Sequence, residues 1–236
     1  MTPDEFTARI TGSLSRDMII DLFDDTLARA RQAHDLVVKN TDLIGRSARG
    51  LEGQARYRLM EKGFEDICAK YGGLRLEGDL VPGTELRCFQ PFMRFGGMSD
   101  GVVLGLASMQ ARGELPTKNQ SRSAGVTLNY HLTPRLDLEA DGKVAKPGDV
   151  FVLLLFARDP SKAGALQEVA IGIIDSNFKS YLFYIPVEAL LTEYVSVRRE
   201  PRVDPIPMVK LKISPAIYKP PEEDQTSKKP NVQNDD

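Results

Sequence analysis

The stretch 150–157, VFVLLLFA, is apolar at odd and even positions alike. A strand with one wet face alternates apolar and polar residues, so a strand without alternation has both faces covered. Eight residues fall far short of the roughly 20 that a membrane-spanning helix needs. The chain must therefore supply a sheet with this strand inside it and enough material to cover each side.

Helical material precedes it. From Ser15 onward, apolar residues fall at Met18, Ile19, Leu22, Phe23, Leu27, Ala30, Val37 and Val38, the three-to-four spacing of one buried helix face. Ser15 suits the N-cap, and Asp17 stands near the positive end of the helix dipole. Asp21, Asp24, Asp25, Arg29 and Arg31 fall on the other face, which is assigned to solvent. A second helix is predicted over 50–71 from Leu51, Ala55, Leu59, Phe64, Ile67, Cys68 and Tyr71. Gly72-Gly73 closes it. Glu52 and Arg56, four apart in the favourable order, read as a weak stabilising pair.

After Gly73 the period changes. Short apolar runs at 74–80, 85–95, 102–109, 150–158, 168–174 and 181–185 alternate with turn residues such as Pro82-Gly83, Gly96-Gly97, Pro147-Gly148 and Asp175-Ser176-Asn177. The runs at 168–174 and 181–185 form a hairpin around 176–179, and 187–194 adds a short helix. Helices first and strands afterwards define an α+β fold, with N-terminal helices packed on a mainly antiparallel, twisted β-sheet. The organisation expected is a helical segment 1–73, a β-rich core 74–199 containing a long polar loop 110–146, and a Pro-rich extension over 200–236. That extension ends in a disordered acidic tail. The run 181–186 is a candidate edge strand whose Pro186 limits extension.

The balance of charge narrows the function. The 236 residues hold 31 Lys+Arg against 33 Asp+Glu, a formal charge of −2, which excludes a globally basic nucleic-acid coat. The N-terminus carries acids early and has no apolar secretory core, so the expectation is a cytoplasmic chain with no membrane association. Cys68 and Cys88 are the only cysteines and are expected to be reduced. Asn119-Gln120-Ser121 is then a chance match to a glycosylation site.

Few chemistries survive. A nucleophile–histidine site must use His34 or His131, and both read as structural: His34 at the edge of a helix face, His131 in the polar loop. No Gly-x-Ser-x-Gly elbow is present. Cys and His are too sparse for structural zinc. Gly96-Gly97-Met98-Ser99-Asp100-Gly101 lacks the lysine of a phosphate loop and reads as a turn. No cofactor is implied. A carboxylate site needs only a few acids, and Glu61 or Glu65 with Asp100, Glu114 and Lys118 are its candidates. The strand motif of PD-(D/E)xK nucleases is absent as written, since Pro116 interrupts the Glu114–Lys118 spacing.

Basic residues give the stronger lead. Arg46, Arg49, Arg56 and Arg58 gather near the start of the second helix, and Arg112, Lys118 and Arg122 follow in the polar loop among Thr117, Asn119, Gln120 and Ser121. Arginine and lysine beside hydroxyl and amide side chains suit phosphate oxygens. If helix and loop meet, they make a local positive patch on a near-neutral protein. The expected function is therefore a non-catalytic binding or interaction protein whose partner is nucleic acid or another protein. The alternative is a metal-dependent nuclease with a degenerate carboxylate site. Replacing Arg112, Lys118 and Arg122 together is expected to leave folding intact.

Overall fold

A computed structural model describes residues 1–76, 90–96, 100–132 and 148–196, with residues 195 and 196 described by backbone alone. Cys88 and the extension over 200–236 lie outside the described residues, as do the second half of the expected strand 74–80 and the first residues of 85–95.

The chain runs α1 (Pro3–Ser13), α2 (Arg16–Asn40), α3 (Gly45–Lys70), β1 (Leu74–Arg75), β2 (Met93–Phe95), β3 (Val102–Met109), α4 (Gln120–Thr127), a 3-10 turn (Leu128–Leu132), β4 (Val150–Arg158), β5 (Leu166–Ile174), β6 (Tyr181–Pro186) and α5 (Val187–Ser196). Strands stand in the sheet in sequence order, β1 to β6. Every pairing is antiparallel except β3 with β4, which run parallel over Val102↔Val150 to Met109↔Ala157. The fold is α+β, as the order of periods required. β6 is an edge strand. Among the described residues, no helix is long and apolar enough to cross a membrane.

β4 lies inside the sheet and divides the core by parity. Val150, Val152, Leu154 and Phe156 point to one face, where they meet Phe6 and Ile10 of α1, Met18 and Leu22 of α2, Met60 and Phe64 of α3, and Leu190 of α5. Phe151, Leu153, Leu155 and Ala157 point to the other, where Phe92, Val103, Ala124 and Val126 cover them. Helices thus share one core with the sheet rather than forming a domain of their own. On the second face the helical cover among the described residues is the two-turn helix α4 with the 3-10 turn behind it, joined by Phe92, Leu115 and Phe178.

That helix lies within 110–146, where the sequence predicted only loop. It is capped by Asn119, whose side chain accepts from Arg122 N at 2.8 Å. Its buried residues are Ser121, Arg122, Ala124, Gly125 and Val126, most of them small or polar. A Cβ at Gly125 would stand 2.4 Å from the Phe151 ring, so only glycine lets α4 lie this close to β4.

Local rules account for the helix ends. Thr2 and Glu5 form a reciprocal capping box on α1, a helix that the sequence reading did not anticipate. Ser15 caps α2 through Met18 N, as expected. α3 begins five residues earlier than predicted, at Gly45. The acidic side of α2 is not simply solvated. Asp21 accepts from Lys70 Nζ at 2.7 Å and from the Tyr71 hydroxyl at 2.8 Å, which ties α2 to the end of α3.

Two aspartates hold turns around the sheet. Asp175 accepts from Asn177 N, Lys179 N and Ser180 N, at 2.6 to 2.9 Å, and so closes the β5–β6 hairpin. Asp149 receives Nε and Nη2 of Arg94 at 2.6 and 2.9 Å and Gly101 N at 2.8 Å. Burial pushes both carboxyls up, but these hydrogen bonds outweigh it and hold them below the ordinary value of 3.8. A depressed carboxylate stabilises the fold above its unfolded-state value and loses that contribution as pH falls through the folded one. Stability should therefore fall as pH drops below about 4. Asp175→Asn should be less stable at neutral pH and show a flatter decline in acid, as read from urea midpoints across the pH range.

Candidate functional site

α2 and α3 form an antiparallel hairpin joined by the short turn 41–44. The first buried residue of α3 is Glu52, so its opening turns stand clear of the core. Arg46 and Arg49 are exposed there and make no ion pair among the described residues. Arg58 is also exposed and holds Glu61 at 2.7 Å. Between 45 and 60 the only acid is Glu52, which is buried, so every exposed charge on this length of helix is positive.

Helical spacing puts Arg46, Gly50, Gly53 and Tyr57 on one stripe, with Arg49 and Arg58 to either side. Among the described residues, nothing stands within 4 Å of a Cβ placed on Gly50 or Gly53, which leaves the helix backbone open there. Arg49, Gly50, Gly53, Tyr57 and Arg58 line an open groove of about 860 Å3, together with Ser108 of β3.

At the lower end of this stripe the helix does meet the polar loop. The Tyr57 hydroxyl accepts from Gln90 Nε2, and Asn119 Nδ2 donates to Gln90 Oε1 at 3.5 Å. Arg122 also approaches this hydroxyl; burial raises the Tyr57 phenol above its ordinary value, and Arg122 opposes that rise. The arginine itself is buried, 6% exposed, and donates to Thr117 O.

The other predicted cations take different positions. Arg56 is 6% exposed and donates to Glu52, so the pair read as weak is a buried one. Arg112 is exposed along its length, yet its Nε lies 2.8 Å from the buried Glu168, which also accepts from the Tyr184 hydroxyl. Lys118 is exposed, with its ammonium 6.0 Å from the Phe178 ring centre. The seven residues are thus not one surface. Arg46, Arg49 and Arg58 form a solvent-facing set, whereas Arg56, Arg112 and Arg122 are spent on internal partners. The triple loop substitution would remove two of those internal contacts, so the expectation that it leaves folding untouched does not stand.

The acids proposed for a metal site do not converge. Glu61 pairs with Arg58, Glu65 with Arg75, and Asp100 with Arg9 at 3.6 Å. Glu114 is exposed and contributes its backbone oxygen to Tyr181. Among the described residues there is no group of three His, Cys, Asp or Glu side chains placed to share an ion. Cys68 is buried, and burial pushes its thiol far up, which removes it as a nucleophile. His131 lies in the 3-10 turn; burial, with the charges of Arg9 and the N-terminus, holds its imidazole below the ordinary value against a Leu128 backbone bond.

A second polar centre escaped the sequence reading. His34 Nδ1 lies 3.1 Å from Glu52 Oε2, and Glu52 takes Arg56 on its other oxygen. Burial holds Arg56 below its usual value despite Glu52, and the neighbouring charge of Arg158 adds to the effect. The two residues that meet, His34 and Glu52, are almost equally far from the α2–α3 turn. Once both helices were placed in a hairpin, that symmetry was the available signal.

Compared with known proteins, the chain matches no family model, and no curated protein or solved structure matches it.

Proposed function

We propose that the protein is a non-catalytic module that binds the phosphate backbone of nucleic acid along the opening turns of α3. The observation that carries this reading is the all-positive exposed face of Arg46, Arg49 and Arg58 around the bare backbone of Gly50 and Gly53. From 46 to 58 the helix rises about 18 Å, a length over which duplex DNA carries about ten phosphate charges. The guanidiniums of Arg46 and Arg49, which pair with no acid among the described residues, are available to replace condensed counterions, and small residues allow the strand to approach the helix. No aromatic stripe alternates with the arginines, so recognition is of backbone rather than of stacked bases.

Replacing Arg46, Arg49 and Arg58 together by Ala should leave the fold in place, since exposed substitutions cost within about 0.5 kcal/mol each. Affinity for labelled duplex DNA, single-stranded DNA or RNA, measured by fluorescence anisotropy at several salt concentrations, should fall. The slope of log affinity against log salt should shrink by about 2 to 3. An unchanged slope in the variant, or no binding by the parent protein at low salt, would overturn the proposal.

A further inference from the structure

Beside His34 the structure contains a cavity that the arginine face does not use. It measures about 460 Å3 and lies between α2 and the β4–β5 turn, within the size range of small-molecule sites. Leu27, Arg31 and His34 reach it from one face of α2, and Lys162 and Leu166 from the turn and the start of β5. Leu27 and Leu166, with the alanines at 163 and 165, give it an apolar wall.

The turn is built to hold its shape. Asp159 Oδ1 accepts from Ser161 N at 2.8 Å, Ser161 Oγ at 2.6 Å and Lys162 N at 3.2 Å, and Ala165 O accepts from Asp159 N at 3.1 Å. Gly164 has φ +68°, and a Cβ there would come within 2.9 Å of His34 Cβ. Turn and helix are therefore in contact through a position that only glycine fills without strain.

Charge around the cavity is unbalanced. Asp35 also lines it, but its carboxylate is taken by Lys39 at 2.9 Å. Arg31 and Lys162 are exposed and make no ion pair among the described residues. Next to His34, Glu52 pairs with Arg56, which also feels the charge of Arg158, and the Nε of each arginine is buried without a hydrogen-bond partner among the described residues. Glu52 engages Nδ1 of His34 at 3.1 Å, which holds the ring beside the cavity.

We propose that this cavity binds a small organic anion, a carboxylate or phosphate monoester on a compact apolar body. The anionic group sits between Arg31 and Lys162, and the body packs against Leu27 and Leu166. Cations beside an apolar wall select for a molecule that carries both features.

The test uses the full chain and three probes of similar size, hexanoate, butyl phosphate and neutral hexanol, titrated calorimetrically to about 20 mM, since ligands this small bind weakly. Saturable binding of one or both anions, with none for hexanol, is the expected result, and the stronger of the two names the headgroup. Arg31→Ala combined with Lys162→Ala should weaken that binding about tenfold or more, while nucleic-acid affinity stays as in the parent. Gly164→Ala, which drives the turn off His34, should weaken it as well. Saturation by neither anion, equal binding of hexanol, or anion binding unchanged in the double variant would overturn the proposal.

Discussion

Asn129→Ala should lower the unfolding free energy by about 3 to 4 kcal/mol, more than any other single polar truncation in the second-face cover. The side chain is 0% exposed. Its Nδ2 donates to Phe151 O at 3.0 Å and to Ile174 O at 2.9 Å, and its Oδ1 accepts from Phe151 N at 2.8 Å. The β4–β5 ladder ends at Leu153↔Gly172, so Phe151 and Ile174 have diverged from one another where Asn129 joins them. Alanine would leave these backbone groups without the amide, in an interior where an unmade hydrogen bond costs its whole desolvation. Asn129→Asp is the sharper variant. It keeps an acceptor for Phe151 N but presents a carboxylate to two carbonyl oxygens, and should be at least as destabilising. Urea unfolding followed by circular dichroism reads both. A loss below about 1 kcal/mol would mean that water replaces the amide.

The second large effect is expected at Glu52. Glu52→Ala leaves Arg56 buried without its carboxylate and with the Arg158 charge still beside it, so the loss should be roughly 3 to 5 kcal/mol. Removing both partners is a different experiment. Glu52→Leu with Arg56→Met takes away the charges and their desolvation together, and should recover most of the loss, because an apolar pair can fill the space of a buried ion pair at little net cost. A double-mutant cycle separates the two cases. If the double variant proves as unstable as Glu52→Ala, the pair is not the unit that holds the hairpin, and the bond to His34 carries more than its half-buried position suggests.

These two sites show what a sequence conveys and what it withholds. β4, β5, β6 and α2 were legible because their signal is the residue pattern itself: both-parity burial for β4, a turn of Asp175-Ser176-Asn177 for the hairpin, a Ser15 cap and helical period for α2. α4 was not, because the small and polar residues that let it lie against Phe151 are the residues that otherwise mark a loop. α1 buries only Phe6 and Ile10, too little for a visible period. The opening arginines of α3 could be found by counting charges. Which of the predicted cations face water depended on partners such as Glu52 for Arg56 on α3 and Thr117 for Arg122 on α4. That information lies in helix packing and loop closure, not in spacing along the chain. His34 was set aside for the same reason, since its meaning comes from a residue 18 positions away.

The parallel β3–β4 pairing has a kinetic consequence. β4, β5 and β6 follow one another through short turns, so they can zip as local hairpins soon after the chain begins to collapse. Their neighbour β3 cannot. Val102 pairs with Val150, and the whole polar crossover, α4 included, must be gathered before the eight parallel pairs of that ladder can form. Closing so long a loop is repaid only when the ladder and its α4 cover are in place, so the middle of the sheet is the last part to be joined. Refolding should accordingly be paced by the docking of β3 and α4 onto a preformed three-stranded meander, and the chain should spend that interval with one flank of β4 unpaired.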